Sequence, residues 1–272
     1  MITRHHVALT ILCTLILCSA LVPSDLVLIT VICTGACMGA ILPDIQMRKP
    51  QGFRIRTIAW MVSRFSSIIY TPMISRLYHT LWGYTYDEGD KRLTHSVPGI
   101  LSLWATFAVF LLVPAFILNR TTLYFPAALL CGIILGMVLH LIADMCTRKG
   151  ITPLFPFSTL RVSGTIRPCD TTDRRIAQFH FYDLSVAGII LWFQYLERWQ
   201  GIVSVPVCLF ALGSCLGMMI WSSDVSISRE YTGNPVKEMY TPVQSDPFIA
   251  QWKADHPDSG LRMGVYFNKN EQ

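Results

Sequence analysis

Four ionisable residues stand at the ends of apolar stretches and have the types and spacing to do chemistry: Asp44, His95, His140 and Asp144. The sharpest pair lies in Gly136-Met-Val-Leu-His140-Leu-Ile-Ala-Asp144-Met145, where an imidazole and a carboxylate are four residues apart. On a helix that spacing puts both side chains on one face, with Cβ atoms roughly 6 Å apart. An ionisable group at membrane depth costs on the order of 3 kcal/mol by insertion scales, so it is retained with a partner or a task. Imidazole and carboxylate so placed can hold one metal ion, or act as a base and the acid that orients it. Each of the four also has a plainer reading, as a helix cap, a topology anchor or a bond between neighbouring helices.

The elements that must position these groups are apolar. The chain has 272 residues, of which 52% are hydrophobic and 14% charged, with a mean hydropathy of +0.45. Soluble domains carry about 25% charge, so the composition is that of a membrane protein. Residues 7–22, 26–42, 97–118, 123–143, 184–196 and 202–222 each approach the length needed to cross a hydrocarbon core, about 20 helical residues. The expected fold is therefore an all-α polytopic membrane protein with about six transmembrane helices. Residues 1–222 form its membrane-embedded domain and 223–272 a polar cytoplasmic C-terminal tail. The first span has Arg4 as a basic flank but no small-x-small cleavage site, and a second span follows closely, so it reads as a retained helix.

Orientation follows from the basic residues. Between the second and third spans lie Arg48, Lys49, Arg54, Arg56, Arg64, Arg76, Lys91 and Arg92; between the fourth and fifth lie Arg148, Lys149, Arg161, Arg167, Arg174 and Arg175. The opposite connections hold only Arg120 and Arg198. Both basic loops and both termini are expected on the cytoplasmic side of the cell (inner) membrane. This asymmetry accounts for the formal net charge of +5, and no direct binding of nucleic acid is expected.

Within residues 45–96, Ile58, Met61, Phe65, Ile68, Ile69, Met73, Ile74 and Leu77 recur at roughly helical spacing, with Arg64 and Arg76 among them. That pattern suits an interfacial amphipathic helix in contact with membrane lipids, divided by Pro72. It equally suits a helix packed on the bundle. Residues 151–182, with Pro153, Pro156 and Pro168, read as an irregular loop. The nine cysteines show no Cys-x-x-Cys spacing, and those in the spans read as small apolar residues. Cys146 is of interest for its nearness to Asp144.

Topology sorts the ionisable groups. The second span runs inward and ends at Asp44, the third starts just after His95, and the fourth runs inward to His140 and Asp144. His6 opens the first span, and Ser96 with Pro98 suits the cap and first turn of the third. All these groups are thus expected at one membrane face, the cytoplasmic one.

Three blocks, Leu42-Pro43-Asp44-Ile45, Thr94-His95-Ser96 and Gly136-x3-His140-x3-Asp144-Met145-x-Thr147-x2-Gly150, are followed by Pro153-Leu154-Phe155-Pro156. In order and spacing they resemble the signature of the YdjM-like family of LexA-binding, inner-membrane-associated metal-dependent hydrolases, over roughly residues 1–200. The chain departs from that pattern at Gln46, where the family often has a second acid, and at Asp90-Lys91-Arg92, where it has His-Arg-Gly.

The resemblance implies a metal-dependent hydrolase whose ligands are Asp44, His95, His140 and Asp144, with His6 and Asp90 as further ligands. Zinc or manganese suits such nitrogen and carboxylate donors. Arg92, Lys91 and Arg148 could neutralise a phosphate group, which makes a phosphoester or lipid-derived substrate the expected one. The alternative is a non-enzymatic membrane scaffold or regulator that binds a cytoplasmic protein partner, as the LexA association in the family name implies. A third reading is a proton-coupled transporter with His140 and Asp144 as its relay; the sequence shows no inverted repeat to support it.

Overall fold

The computed structural model describes residues 3–22, 25–45, 65–82, 91–118, 123–168, 170, 173–196 and 203–229. Among them are seven α-helices: α1 (Thr3–Leu21), α2 (Leu26–Ile45), α3 (Thr71–Trp82), α4 (Val97–Leu118), α5 (Tyr124–Met145), α6 (Arg175–Leu191) and α7 (Val205–Ser222). A π-helical turn, Ser66–Tyr70, leads into α3, and another, Trp192–Leu196, prolongs α6. Two short strands, β1 (Leu160–Ser163) and β2 (Ser226–Arg229), pair antiparallel. Six helices are long and apolar enough to cross a membrane; α3 is the seventh, shorter one.

The contact that sets the bundle is between α2 and α5, which run side by side in the same direction. Each helix turns two glycines to the other at a spacing of four, Gly35 with Gly39 and Gly132 with Gly136. A methyl group at any of them would sit 2.0–2.2 Å from a backbone carbonyl oxygen of the facing helix. Small residues at this spacing let two helix backbones meet directly, and dispersion between them replaces the hydrophobic drive that lipid does not supply. The register is close to a constant offset: Gly132 meets Ile32, Gly136 meets Ala36, and His140 meets Ala40. Carried one turn further, it brings Asp44 to Asp144.

The remaining helices are tied to this pair by single polar anchors within apolar contacts. The Trp104 indole N–H of α4 donates to the Leu130 carbonyl of α5 at 2.9 Å. The Ser96 hydroxyl accepts from the Gly99 N–H at 3.1 Å, so Ser96 caps α4 as its sequence predicts. Asp25 does the same for α2, accepting from the Leu28 N–H at 2.9 Å. Along the segment from Ser66 to the end of α3, Tyr70, Ile74 and Tyr78 are buried, and the Tyr70 hydroxyl donates to the Gly99 carbonyl at 2.8 Å. Ile68, Ile69, Met73, Leu77 and Leu81 are exposed on its other side. This segment therefore packs on the bundle and still turns an apolar face outward. Pro72 lies in the first turn of α3, where its missing N–H costs nothing. The expected helical residues before Phe65 lie outside the described ones.

Three expectations are revised. The fifth span begins at Arg175, not 184, so residues 175–182 are helical rather than part of a loop. Ile176, Phe179 and Asp183 are buried on one side of this amphipathic segment, and hydropathy averaged around the helix obscures it. The loop of 146–174 is tied down as well: Thr147 bridges Ile166, Ile151 bridges Val162, and the Val97 N–H donates to the Pro153 carbonyl at 2.7 Å. Its Phe155–Pro156 peptide bond is cis. Finally, the polar tail starts with ordered structure, since Ser226–Arg229 pairs with Leu160–Ser163; residues 230–272 lie outside the described ones. Arg175 fastens these parts together, donating to the Asp173 carboxylate at 2.8 Å, the Thr165 carbonyl at 3.0 Å and the Ser222 carbonyl at 3.1 Å.

The seam can be broken selectively. Gly136→Leu or Gly39→Leu should abolish the monodisperse, folded species in detergent, because the added side chain meets backbone that cannot move away. Gly213→Ala, which meets nothing within 4 Å, should leave thermal stability within about 1 kcal/mol of the parent.

Candidate metal centre

The site forms where four helix ends converge. Asp44 comes from the last turn of α2, His95 from just before α4, and His140 and Asp144 from the last two turns of α5. One donor atom from each lies within 4.8 Å of every other. His95 Nε2 is 3.2 Å from Asp44 Oδ1 and 3.7 Å from Asp144 Oδ2. His140 Nε2 is 3.5 Å from Asp144 Oδ2 and 4.0 Å from Asp44 Oδ1. His95 and His140 are buried, while the carboxylates keep a narrow exposure, 21% of the Asp44 side chain and 12% of the Asp144 side chain.

The far side of each ring decides what the near side can do. His140 Nδ1 is 2.7 Å from the Ala40 carbonyl, which only accepts, so Nδ1 carries the hydrogen. The Thr94 hydroxyl lies 3.3 Å from the Pro43 carbonyl oxygen and 3.1 Å from His95 Nδ1. The neutral His140 ring so assigned turns its Nε2 lone pair toward the Asp144 carboxylate, while His95 Nε2 is within hydrogen-bond distance of Asp44 Oδ1 at 3.2 Å. Lone pairs facing carboxylates repel unless a cation lies among them, and His140 Nε2 is buried without a hydrogen-bond partner. Histidine ligands held by a carbonyl or hydroxyl behind them are the usual second layer of a metal site. The cluster could therefore bind a metal ion through its nitrogen and carboxylate oxygen donors.

His6 of α1 joins the cluster from the side. Its ring stacks on His140 with centroids 4.0 Å apart, and its Nε2 is 3.2 Å from Asp144 Oδ1. Neither His6 nitrogen makes a hydrogen bond among the described residues, although the residue is buried. The other expected residues fall differently. Asp90 and the Lys91 side chain lie outside the described residues. The Arg92 guanidinium lies over the Phe155 ring, 5.1 Å from its centroid. Arg148 is exposed, four residues past Asp144, with its N–H bonded to the Ile166 carbonyl. Cys146 is buried outside the ligand group, and burial pushes its thiol above the usual range, so it stays protonated. Sequence reasoning missed Thr94, Ala40 and Pro43 as supports; a hydroxyl directly before a candidate histidine was the one signal for them.

Six apolar spans, closed at one end around a buried cluster of histidines and aspartates, define a polytopic membrane protein with a candidate metal site. The chain belongs to the YdjM inner membrane protein family, whose model matches residues 1–223. That match extends past the roughly 200 residues of the sequence resemblance and takes in all of α7. No curated protein and no solved structure matches the chain.

The hydroxyl behind His95 yields a test. Thr94→Val removes the hydroxyl bonded to His95 Nδ1 while keeping the side-chain shape, and should weaken zinc or manganese binding by about 10–100-fold. Isothermal titration on detergent-solubilised protein measures it, with an unchanged far-ultraviolet circular dichroism spectrum as the check on folding.

Proposed function

We propose that this protein is a metal-dependent hydrolase whose site opens at the cytoplasmic face of the inner membrane, acting on a phosphoester or lipid-derived substrate. The observation that carries the proposal is the convergence of two imidazoles and two carboxylates within 4.8 Å of one another, with His140 Nε2 buried and without a hydrogen-bond partner. Asp44, His95, His140 and Asp144 would hold the ion, with His6 in reach as a further donor. A divalent ion held there would lower the pKa of a bound water to about 7 and polarise the oxygen under attack.

The chain's own residues do the rest. The Ala40 carbonyl holds His140 in one tautomer and the Thr94 hydroxyl supports His95 from behind, so both rings are positioned before an ion arrives. Burial of the rings by α1, α2 and α5 excludes bulk water from the back of the site, and the partial exposure of Asp44 and Asp144 leaves one approach. Arg148, exposed in the loop four residues past Asp144, is the residue we assign to a substrate phosphate, whose oxygens its planar fork suits. The location at helix ends beside the basic loops supports a substrate presented at headgroup level. The same basic loops support a cytoplasmic location of this face and of both termini.

Elemental analysis of protein purified without chelators should find close to one zinc or manganese per chain. The double variant His140→Ala, Asp144→Ala should stay folded and lose it. Vesicles containing a phosphomonoester lipid, run beside a water-soluble aryl phosphate, should release phosphate in a chelator-sensitive way, and the faster arm names the substrate source. Metal-free protein that gains no thermal stability from added zinc or manganese would overturn the proposal.

A further inference from the structure

A second polar cluster lies deeper in the bundle and is not used by the metal centre. Asp183 is on α6, eight residues after Arg175, which at the helical rise is about 12 Å into the span. It is fully buried, at 0% exposure, and among the described residues no nitrogen or oxygen donor bonds either of its carboxylate oxygens, the Cys215 thiol being its one hydrogen-bonding neighbour. Its polar company comes from two other helices, the thiols of Cys13 on α1 and Cys215 on α7, which interact with it and with each other. Both cysteines are themselves buried. On its own helix Tyr182 directly precedes it, with its hydroxyl donated to Ser214 of α7 at 3.2 Å, and His180 lies three residues earlier, its ring stacked on His5 at 5.3 Å and its nitrogens unbonded. A thiol is a weak donor and does not compensate an ionised carboxylate taken out of water. Burying such a charge unpaired is far more costly than burying a carboxylic acid.

We propose that Asp183, enclosed by Cys13 and Cys215, is a proton-binding site inside the membrane domain, separate from the metal centre. The carboxyl group is held as the neutral acid, which lets α1, α6 and α7 pack against one another at this depth. Helix α1 carries both Cys13 and His6, seven residues apart, or about 10 Å along its axis. Release of the proton would set a charge against α1 two turns from the histidine that leans on the metal cluster. The site thus offers a route by which protonation at depth bears on the position of His6.

The test uses the full chain in detergent or liposomes and the membrane-permeant reagent dicyclohexylcarbodiimide. A carboxylic acid adds across one C=N bond: its proton goes to nitrogen and its oxygen bonds the central carbon. Migration of the acyl group to nitrogen then gives a stable N-acylurea, with no atoms lost. Peptide mass spectrometry should place one reagent mass on Asp183, declining as pH is raised. A charged, water-soluble carbodiimide should leave Asp183 unlabelled. Labelling should be absent in Asp183→Asn and retained both in His140→Ala and after chelator treatment, which keeps this result independent of the metal reading. Absence of the adduct in folded parent protein would overturn the proposal, as would labelling by the water-soluble reagent or its loss in His140→Ala. Mapping on the parent chain decides the matter even if Asp183→Asn does not fold.

Discussion

Everything else in this molecule depends on how closely α2 and α5 approach. Four glycines bring the two backbones to a separation at which no Cβ fits, and that closeness fixes their register. Register is what turns a line of separate residues into a site. With His140 opposite Ala40, the imidazole meets a backbone carbonyl within hydrogen-bond reach, and the next turn of each helix brings Asp44 and Asp144 together. In lipid there is little hydrophobic gain from helix association, so packing at this seam and the few polar bonds across it carry the specificity. A bulkier pair of helices would stand apart by more than a side chain's reach, and the donor atoms would no longer share one small volume.

The site that results is electrostatically incomplete by itself. Both histidines are held from behind, His140 by a carbonyl and His95 by a hydroxyl. Fixing His140 in this way is unfavourable when its free Nε2 must face a carboxylate, and it becomes favourable when a cation lies between them. The same logic of holding ligands in place before the ion arrives is general in metal centres. It is expensive at a membrane edge, where unpaired polar groups are poorly solvated. The cost is spread over four helix ends, and the bonds behind the rings offset part of it.

The bundle handles its two buried acid sites in contrasting ways. Around Asp144 it gathers imidazoles and a second carboxylate, all near an opening to water. Around the fully buried Asp183 it sets the thiols of Cys13 and Cys215. The first environment suits charge balanced by a cation and the second suits a neutral acid. Helix α1 touches both, since His6 and Cys13 lie on it two turns apart.

Much of this was legible in the residues. Long apolar runs announce spanning helices because partition into lipid is a local property of each segment. The four central site residues could be picked out because ionisable groups are costly in such runs, and the direction of successive spans gathers them at one end. Ser96 as a cap also follows from local chemistry. What the tertiary structure alone decided depends on distances between segments far apart in the chain. The α2–α5 register, the stacking of His6 on His140, and the carbonyl of Ala40 that fixes the His140 tautomer are of this kind. So are the early start of α6 at Arg175 and the burial of Asp183 against two thiols, where one face of a mixed helix is covered by neighbours that hydropathy does not register. Hydropathy and spacing describe a helix against lipid or water, whereas a side chain's partner is set by the helix packed against it.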